Sequence, residues 1–311
     1  MPSVPEQDNA AYVRAVHDKG LAFDLGAMSR RRMFAFLGGA GALAVAGGTL
    51  LSDPATAADA ACAEEVESET AGPFPADGSN GPDVRAQTGV IRRDIRPSFG
   101  TPTGVAEGVP LQFSLVLSDL ACAPLAGAAV YAWHCDREGR YSIYSAGVTE
   151  ENYLRGIGYT DATGTVTFTS IFPGCYSGRW PHIHFEVYSS LIDAIDGTGP
   201  IRKTSQIALP EEVAEQVYAN AAGYESSVAN LSRITLASDM VFGDDLAARE
   251  LATVTGDVTN GYAATLAITI DPANVETGGG PGGPGGPPPS GPPPTGPAPS
   301  GSPTPSPSES A

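Results

Sequence analysis

The run PGCYSGRWPHIHFEV, residues 173–187, carries two histidines separated by one residue, His182 and His184, with Tyr176 and Arg179 just ahead of them. The chain has only four histidines, so this tripeptide concentrates imidazole at one place. Side chains of a strand point alternately to opposite faces. If HIHFEV is a strand, His182, His184 and Glu186 share one face, and Ile183, Phe185 and Val187 form the other, apolar one. The two histidine Cα atoms then stand about 6.5 to 7 Å apart by strand rise, close enough for both rings to reach one metal ion. The same spacing also suits two histidines on a solvated face, and a His-x-His pair alone does not choose between these.

The elements available to position such a pair are strands. VPLQFSLVL (109–117), AAVYAWH (128–134), GTVTFTS (164–170), HIHFEVY (182–188) and YAATLAITI (262–270) are short, rich in β-branched and aromatic residues, and partly alternating. The expected fold class is all-β: an antiparallel β-sandwich with one or two short peripheral helices. One helix is expected within LPEEVAEQVYANAAG (209–223), with Pro210 and acids at its start, Val213 and Val217 one turn apart, and Gly223 to close it.

Both ends of the 311-residue chain are compositionally biased. Residues 1–60 read as a twin-arginine-type export segment. Ser29, Arg30, Arg31, Arg32, Met33 and Phe34 precede the weakly apolar run AFLGGAGALAVAGGTLL (35–51) and Ala-x-Ala sites near 55–60. A membrane anchor is the other reading, but a span needs about 20 strongly apolar residues. This run is shorter and broken by glycines, so no stable span is expected after cleavage, and the destination is extracellular or the cell envelope. Asp59, three before Cys62, argues against a lipoprotein signal. Residues 276–311 are rich in Gly, Pro and Ser and are expected to stay outside the domain, either as a plain tail or as a spacer in contact with a cell wall. Residues 61–275 remain as a single folded domain. The net charge of −18 and pI near 4.4 exclude a phosphate-tracking surface, so no nucleic-acid partner is expected.

Around the histidine pair the residues fall into a recognisable order. Gly-Arg-Tyr141, Leu154-Arg155-Gly156, Thr160-Asp161, Gly164 and then Pro-Gly-x-Tyr176-x-x-Arg179-x-x-His182-Ile-His184 resemble the intradiol ring-cleavage dioxygenases, the family of catechol 1,2- and protocatechuate 3,4-dioxygenases, and in particular its small secreted bacterial branch. The likeness runs from about Glu69 to about Phe242. It implies a non-haem Fe(III) held by Tyr141, Tyr176, His182 and His184, with Tyr176 at the position of the tyrosinate that leaves when substrate binds. Hard, highly charged ferric iron favours anionic oxygen, and imidazole suits iron as well as zinc or copper. The implied partners are a small aromatic diol and dioxygen. The implied product is a muconate-type diacid, from cleavage between the two hydroxyl-bearing carbons.

By the same resemblance Arg179 and Gln206 support the reaction from just outside the ligands. Arg179 supplies fixed charge for electron density building on the ring. Pro73, in ETAGPFP (69–75), is placed at the substrate mouth, although a Gly-Pro pair also reads as a simple turn. Tyr144 is the rival to Tyr141, His134 reads as structural, and Trp180 suits either a pocket wall or a rim. Two positions depart from the family pattern: Gly158 stands where many relatives carry glutamine, and Cys175 replaces a more usual tryptophan or proline.

Four cysteines in an exported domain suggest two disulfides. On the strand layout Cys122 and Cys135 lie at opposite ends of one strand, about 25 Å apart. Cys135 and Cys175 each precede an expected iron ligand, so the expected pairs are Cys135 with Cys175 and Cys62 with Cys122. Two other classes compete with the enzyme: a secreted, transthyretin-like binding module without iron, and a copper or zinc protein using the His-x-His pair alone.

Overall fold

The structure, a computed structural model, describes residues 64–276 apart from Thr198. The export segment, Cys62 and the tail beyond Glu276 lie outside the described residues, and with them the expected Cys62–Cys122 pair. No helix among the described residues is long and apolar enough to cross a membrane.

The chain forms β1 (Pro110–Ser118), β2 (Ala129–Trp133), β3 (Arg155–Tyr159), β4 (Thr165–Ile171), β5 (His182–Tyr188), α1 (Leu191–Ile195), β6 (Ile201–Ala208), α2 (Glu211–Asn220), α3 (Glu225–Leu231), a 3-10 turn (Leu236–Ser238), β7 (Thr253–Asp257) and β8 (Gly261–Thr269). The strands make two four-stranded sheets, ordered β4-β1-β8-β7 and β3-β2-β5-β6. All five strands expected from the sequence are present. Strands β3, β6 and β7 are not among those the sequence pattern marks, because Arg, Gly, Lys and Gln interrupt their apolar pattern.

In the first sheet, β1 buries Leu111, Phe113, Leu115 and Leu117, and β8 buries Tyr262, Ala264, Leu266 and Ile268, the alternation of strands with one covered face. Phe113 lies opposite Phe168 on antiparallel β4, and their rings stack at 5.0 Å. The expectation of a purely antiparallel fold needs correction here, since β1 and β8 run parallel, with Phe113 opposite Ala264. The whole second sheet intervenes between them in the chain, so no tight hairpin dictates their direction.

The second sheet is covered on both faces. Its Val130, Ala132, Ile183, Phe185, Val187 and Ile207 share one apolar cluster with Phe113, Leu115, Val166, Phe168, Leu266 and Ile268 of the first sheet. Its other face builds a second cluster, in which Ala129, Tyr131 and Trp133 meet Ala71, Phe99, Tyr141, Tyr144 and Tyr188. Every residue of β5 is therefore buried. The solvated-face reading of His182 and His184 fails, each being 2% exposed.

Three α-helices are present among the described residues, one more than the upper expectation. In α2, Glu211 and Glu212 occupy the first turn and Ala214, Val217 and Tyr218 are buried, but the helix closes at Ala221 rather than Gly223. Its neighbourhood pins the loop before β5. Tyr218 Oη donates to the Pro173 carbonyl at 2.9 Å and Tyr224 Oη to the Phe172 carbonyl at 2.7 Å. From α3, Ser227 Oγ accepts from the Cys175 amide at 2.9 Å and Asn230 Nδ2 donates to the Cys175 carbonyl at 2.8 Å.

Cys135 and Cys175 are buried free thiols, so the expected disulfide between them is corrected. The strand layout does bring them near one another, but their sulfurs turn to different acceptors: Cys135 Sγ donates to the Gly174 carbonyl at 3.3 Å and Cys175 Sγ to that of Arg179 at 3.4 Å. Burial pushes both thiols up, Cys175 to about 12. Trp180 is a core residue, 2% exposed, its indole donating to the Leu209 carbonyl at 2.8 Å.

Gly158 is explained by packing. A Cβ there would lie 2.7 Å from Val166 Cγ2 and 3.0 Å from Phe168 Cζ across the sheets. Gly158→Ala is expected to destabilise the domain by about 1 to 3 kcal/mol through overpacking, measured by urea unfolding.

His134 bridges the two sheets: its Nδ1–H donates to the Cys135 carbonyl at 2.7 Å and its Nε2 accepts from Ser170 Oγ on β4 at 2.7 Å. Burial pushes its pKa down from 6.5 to about 4. The unfolded chain therefore binds this proton more readily, and the stability it confers is full above pH 6.5 and lost as pH falls toward about 4. Over that window the metal-free wild type should lose about 3 kcal/mol relative to His134→Gln, read as a narrowing gap between their unfolding curves.

Candidate active site

Tyr141 enters from the loop after β2, Tyr176 from the loop before β5, and His182 and His184 from β5 itself. At the turn before Tyr141, Gly139 has φ +84°, and a Cβ there would lie 3.1 Å from Tyr176 Cβ, so the two tyrosine loops touch where a side chain would part them. Ile143 and Leu154 adopt left-handed backbone, φ +77° and +57°, each costing about 1 to 2 kcal/mol. One shapes the turn after Tyr141 and the other directs Arg155 inward.

The four side chains converge. His182 Nε2 lies 3.1 Å from His184 Nε2, 3.2 Å from Tyr176 Oη and 3.4 Å from Tyr141 Oη, and His184 Nε2 lies 3.2 Å from Tyr141 Oη. His182 Nδ1 donates to the Trp180 carbonyl, so its Nε2 presents a lone pair to the cluster. The His184 ring lies parallel to Trp133, its cross-strand neighbour, at 5.0 Å, and its buried Nδ1 has no hydrogen-bond partner among the described residues. Tyr141 is buried while Tyr176 is half-buried.

Burial and the neighbouring charge keep the two imidazoles and the Tyr141 phenol neutral in the metal-free protein. Burial, then the Arg179 charge, pushes His182 down to about 3, and burial, then His182 and Arg179, holds His184 well below 6.5. Burial and the nearby Tyr176 hold the Tyr141 phenol well above its usual value, against the opposing pull of Arg179. Neutral imidazoles are the ligating form, and a phenol so disfavoured as an anion ionises readily only beside a strong cation. Metal–ligand bonds of about 2 Å at near-right angles set neighbouring donors about 3 Å apart, so the donor set fits one ion. Among the described residues no group of three or more His, Cys, Asp and Glu gathers to hold a metal.

Arg179 and Gln206 stand beside this cluster. Gln206 faces His184 across the β5–β6 ladder, accepts from Arg179 Nη2 at 2.6 Å, and donates from Nε2 to the Thr70 carbonyl at 2.9 Å. Thr70 belongs to the strap ETAGPFP, which passes over the site. Gly72 lies against the His184 ring, Pro73 is half-buried, and Phe74 packs on Tyr141 at 4.8 Å and Tyr144 at 5.2 Å. Tyr144 is not part of the cluster, because its hydroxyl donates to Asn80 Oδ1 at 2.7 Å and accepts from the Ala76 amide at 2.9 Å.

Three contributors carry no role in the sequence reading. Trp133 sits in a strand that reads as core. Arg155 lies in the motif, but only the fold shows what it does. It donates to the carbonyls of Phe74 and Pro75 and to Ser142, tying the strap to the Tyr141 turn. Asp239, which binds Arg179 Nε at 3.0 Å, stands 60 residues further on with no local signature.

The family model described as Dioxygenase matches residues 80–195. Among solved structures, the intradiol ring-cleavage dioxygenase from Tetranychus urticae is 23% identical with a TM-score of 0.54, over 69% of this chain and 98% of that one. A second solved dioxygenase is 22% identical, also with a TM-score of 0.54, over 69% of this chain and 98% of its own. At these identities the structural likeness speaks for the fold. Over residues 80–195 the chain matches the Dioxygenase family model, and its fold is similar to that of solved intradiol ring-cleavage dioxygenases.

Proposed function

We propose that the protein is an Fe(III)-dependent intradiol dioxygenase that opens a catechol-type ring between its two hydroxyl-bearing carbons, giving a muconate-type diacid, with the two sheets packed face to face as a sandwich. The sandwich is supported by the apolar cluster common to both sheets and by the contact of Gly158 with Val166 and Phe168. The observation that carries the function is the meeting of Tyr141 Oη, Tyr176 Oη and His184 Nε2 around His182 Nε2, each 3.1 to 3.4 Å from it. Two phenolates favour a hard trivalent ion over zinc. The lack of a gathered third His, Cys, Asp or Glu among the described residues speaks against a copper or zinc centre built on the histidines.

In this reading Tyr141, Tyr176, His182 and His184 hold the iron, which when bound draws electron density from a chelated diol and activates its ring toward dioxygen. The chain's own groups divide the remaining work. Tyr176, the more exposed phenol, yields its place to substrate and takes a diol proton on Oη. Tyr141, fully buried and braced by Phe74, stays. Arg179 sets its charge beside the ring, where electron density grows in the transition state. Gln206 steadies that guanidinium and, through Thr70, the strap bearing Pro73, which closes the substrate side and limits water. An uncharged, ion-free binding module has no use for a buried cluster of donors whose lone pairs face one another.

Iron-loaded protein is expected to be red-brown from tyrosinate-to-Fe(III) charge transfer, and Tyr141→Phe or Tyr176→Phe should bleach or sharply weaken the band; a band untouched by both changes contradicts the ligand set. Oxygen uptake with a small panel of catechols, with product identification, should show ortho ring opening. Arg179→Gln is expected to lower kcat about 100-fold or more with iron content unchanged.

A further inference from the structure

Behind the site lies a buried ion pair that none of the motifs accounts for. Asp239 is 2% exposed, and both of its carboxylate oxygens are engaged. Oδ2 accepts from Arg179 Nε at 3.0 Å and from the Trp180 amide at 2.6 Å, while Oδ1 accepts from the Val241 amide at 2.8 Å and the Phe242 amide at 3.1 Å. The turn so formed sets the Phe242 ring 5.9 Å from the Arg179 guanidinium carbon.

A guanidinium is planar and offers its donors as a fork, so two acceptors on different nitrogens fix both its position and the tilt of its plane. Arg179 has these two acceptors on separate elements: Gln206 Oε1 on β6 takes Nη2 at 2.6 Å, and Asp239 takes Nε. A single hydrogen bond such as that to Gln206 does not by itself set the tilt of the plane, whereas a second acceptor on Nε does. We propose that Asp239 is a positioning residue, whose carboxylate locks the Arg179 guanidinium in the orientation that turns its charge onto the tyrosine–histidine cluster and the ring bound there. The inference rests on the function proposed above for its catalytic consequence, but the lock itself is a property of the metal-free fold. The charge is held beside the cluster because Gln206, which accepts from Arg179, faces His184 across the β5–β6 ladder.

A carboxylate that served only the 239–242 turn would need Oδ1 alone. Asp239→Asn separates the two roles, because the amide oxygen can still serve the turn while the amide NH2 meets two donors, Arg179 Nε–H and Trp180 N–H. In metal-free protein, the Arg179 Nε–H resonance should exchange slowly with water in wild type and rapidly in Asp239→Asn, with the Trp180 indole signal retained as the marker of an intact fold. In iron-loaded protein of equal colour, Asp239→Asn should lower kcat about 10- to 100-fold with KM changed less than about threefold, and should cost nothing further in the Arg179→Gln background. Unchanged Nε–H exchange, unchanged kcat, or losses that multiply in the double variant would each overturn the proposal.

Should Asp239→Asn fail to fold, Arg179→Lys provides the second test, since it keeps the charge and loses the fork. It should lose at least about 10-fold in kcat, and wild-type kcat would refute an orienting role. A colourless wild type that cleaves no catechol counts against the iron reading alone, and the Nε–H exchange then decides the lock by itself.

Discussion

Tyr141 Oη, Tyr176 Oη and His184 Nε2 all lie 3.1 to 3.4 Å from His182 Nε2, so closely set that only shared phenolic protons or a bound cation can offset their lone pairs, and this constraint governs the rest of the structure. Burial keeps the imidazoles neutral and the Tyr141 phenol protonated in the metal-free protein, so the site is poised to exchange phenolic protons for a cation. A surface placement would leave the same groups hydrated and indifferent to one another.

The fold supplies that dryness by covering β5 on both faces. One face joins the core shared by the two sheets, and the other lies under the strap 69–75, the Tyr141 turn and Trp133. Arg155 and Gln206 anchor the strap from opposite sides, one through Phe74 and Pro75, the other through Thr70. The helices hold the second tyrosine loop by its backbone, through Tyr218, Tyr224, Ser227 and Asn230. The interactions that aim the ligands are thus mostly hydrogen bonds to main-chain carbonyls and amides.

Much of this was legible in the sequence. The alternation in HIHFEV placed His182 and His184 on one face, and the resemblance carried by the motifs around Tyr141 and Tyr176 implied which phenols belong with them. The sequence was less informative wherever the cause is a contact between distant segments. The parallel β1–β8 pair has no turn to announce it. The thiols of Cys135 and Cys175 lie at the expected end of the fold, but neighbouring carbonyls take them. Gly158 reads as a departure from a family pattern until Val166 and Phe168 are seen to fill its space. Asp239 belongs to a turn whose sequence resembles any other, and only the geometry joins it to Arg179.

The most direct measurement of the central claim is a crystal structure of iron-loaded protein with the metal located by anomalous scattering at the iron edge. A single ion is expected within bonding distance of Tyr141 Oη, Tyr176 Oη, His182 Nε2 and His184 Nε2. Iron bound elsewhere, or held by the two histidines with both phenols turned away, would contradict the four-ligand centre.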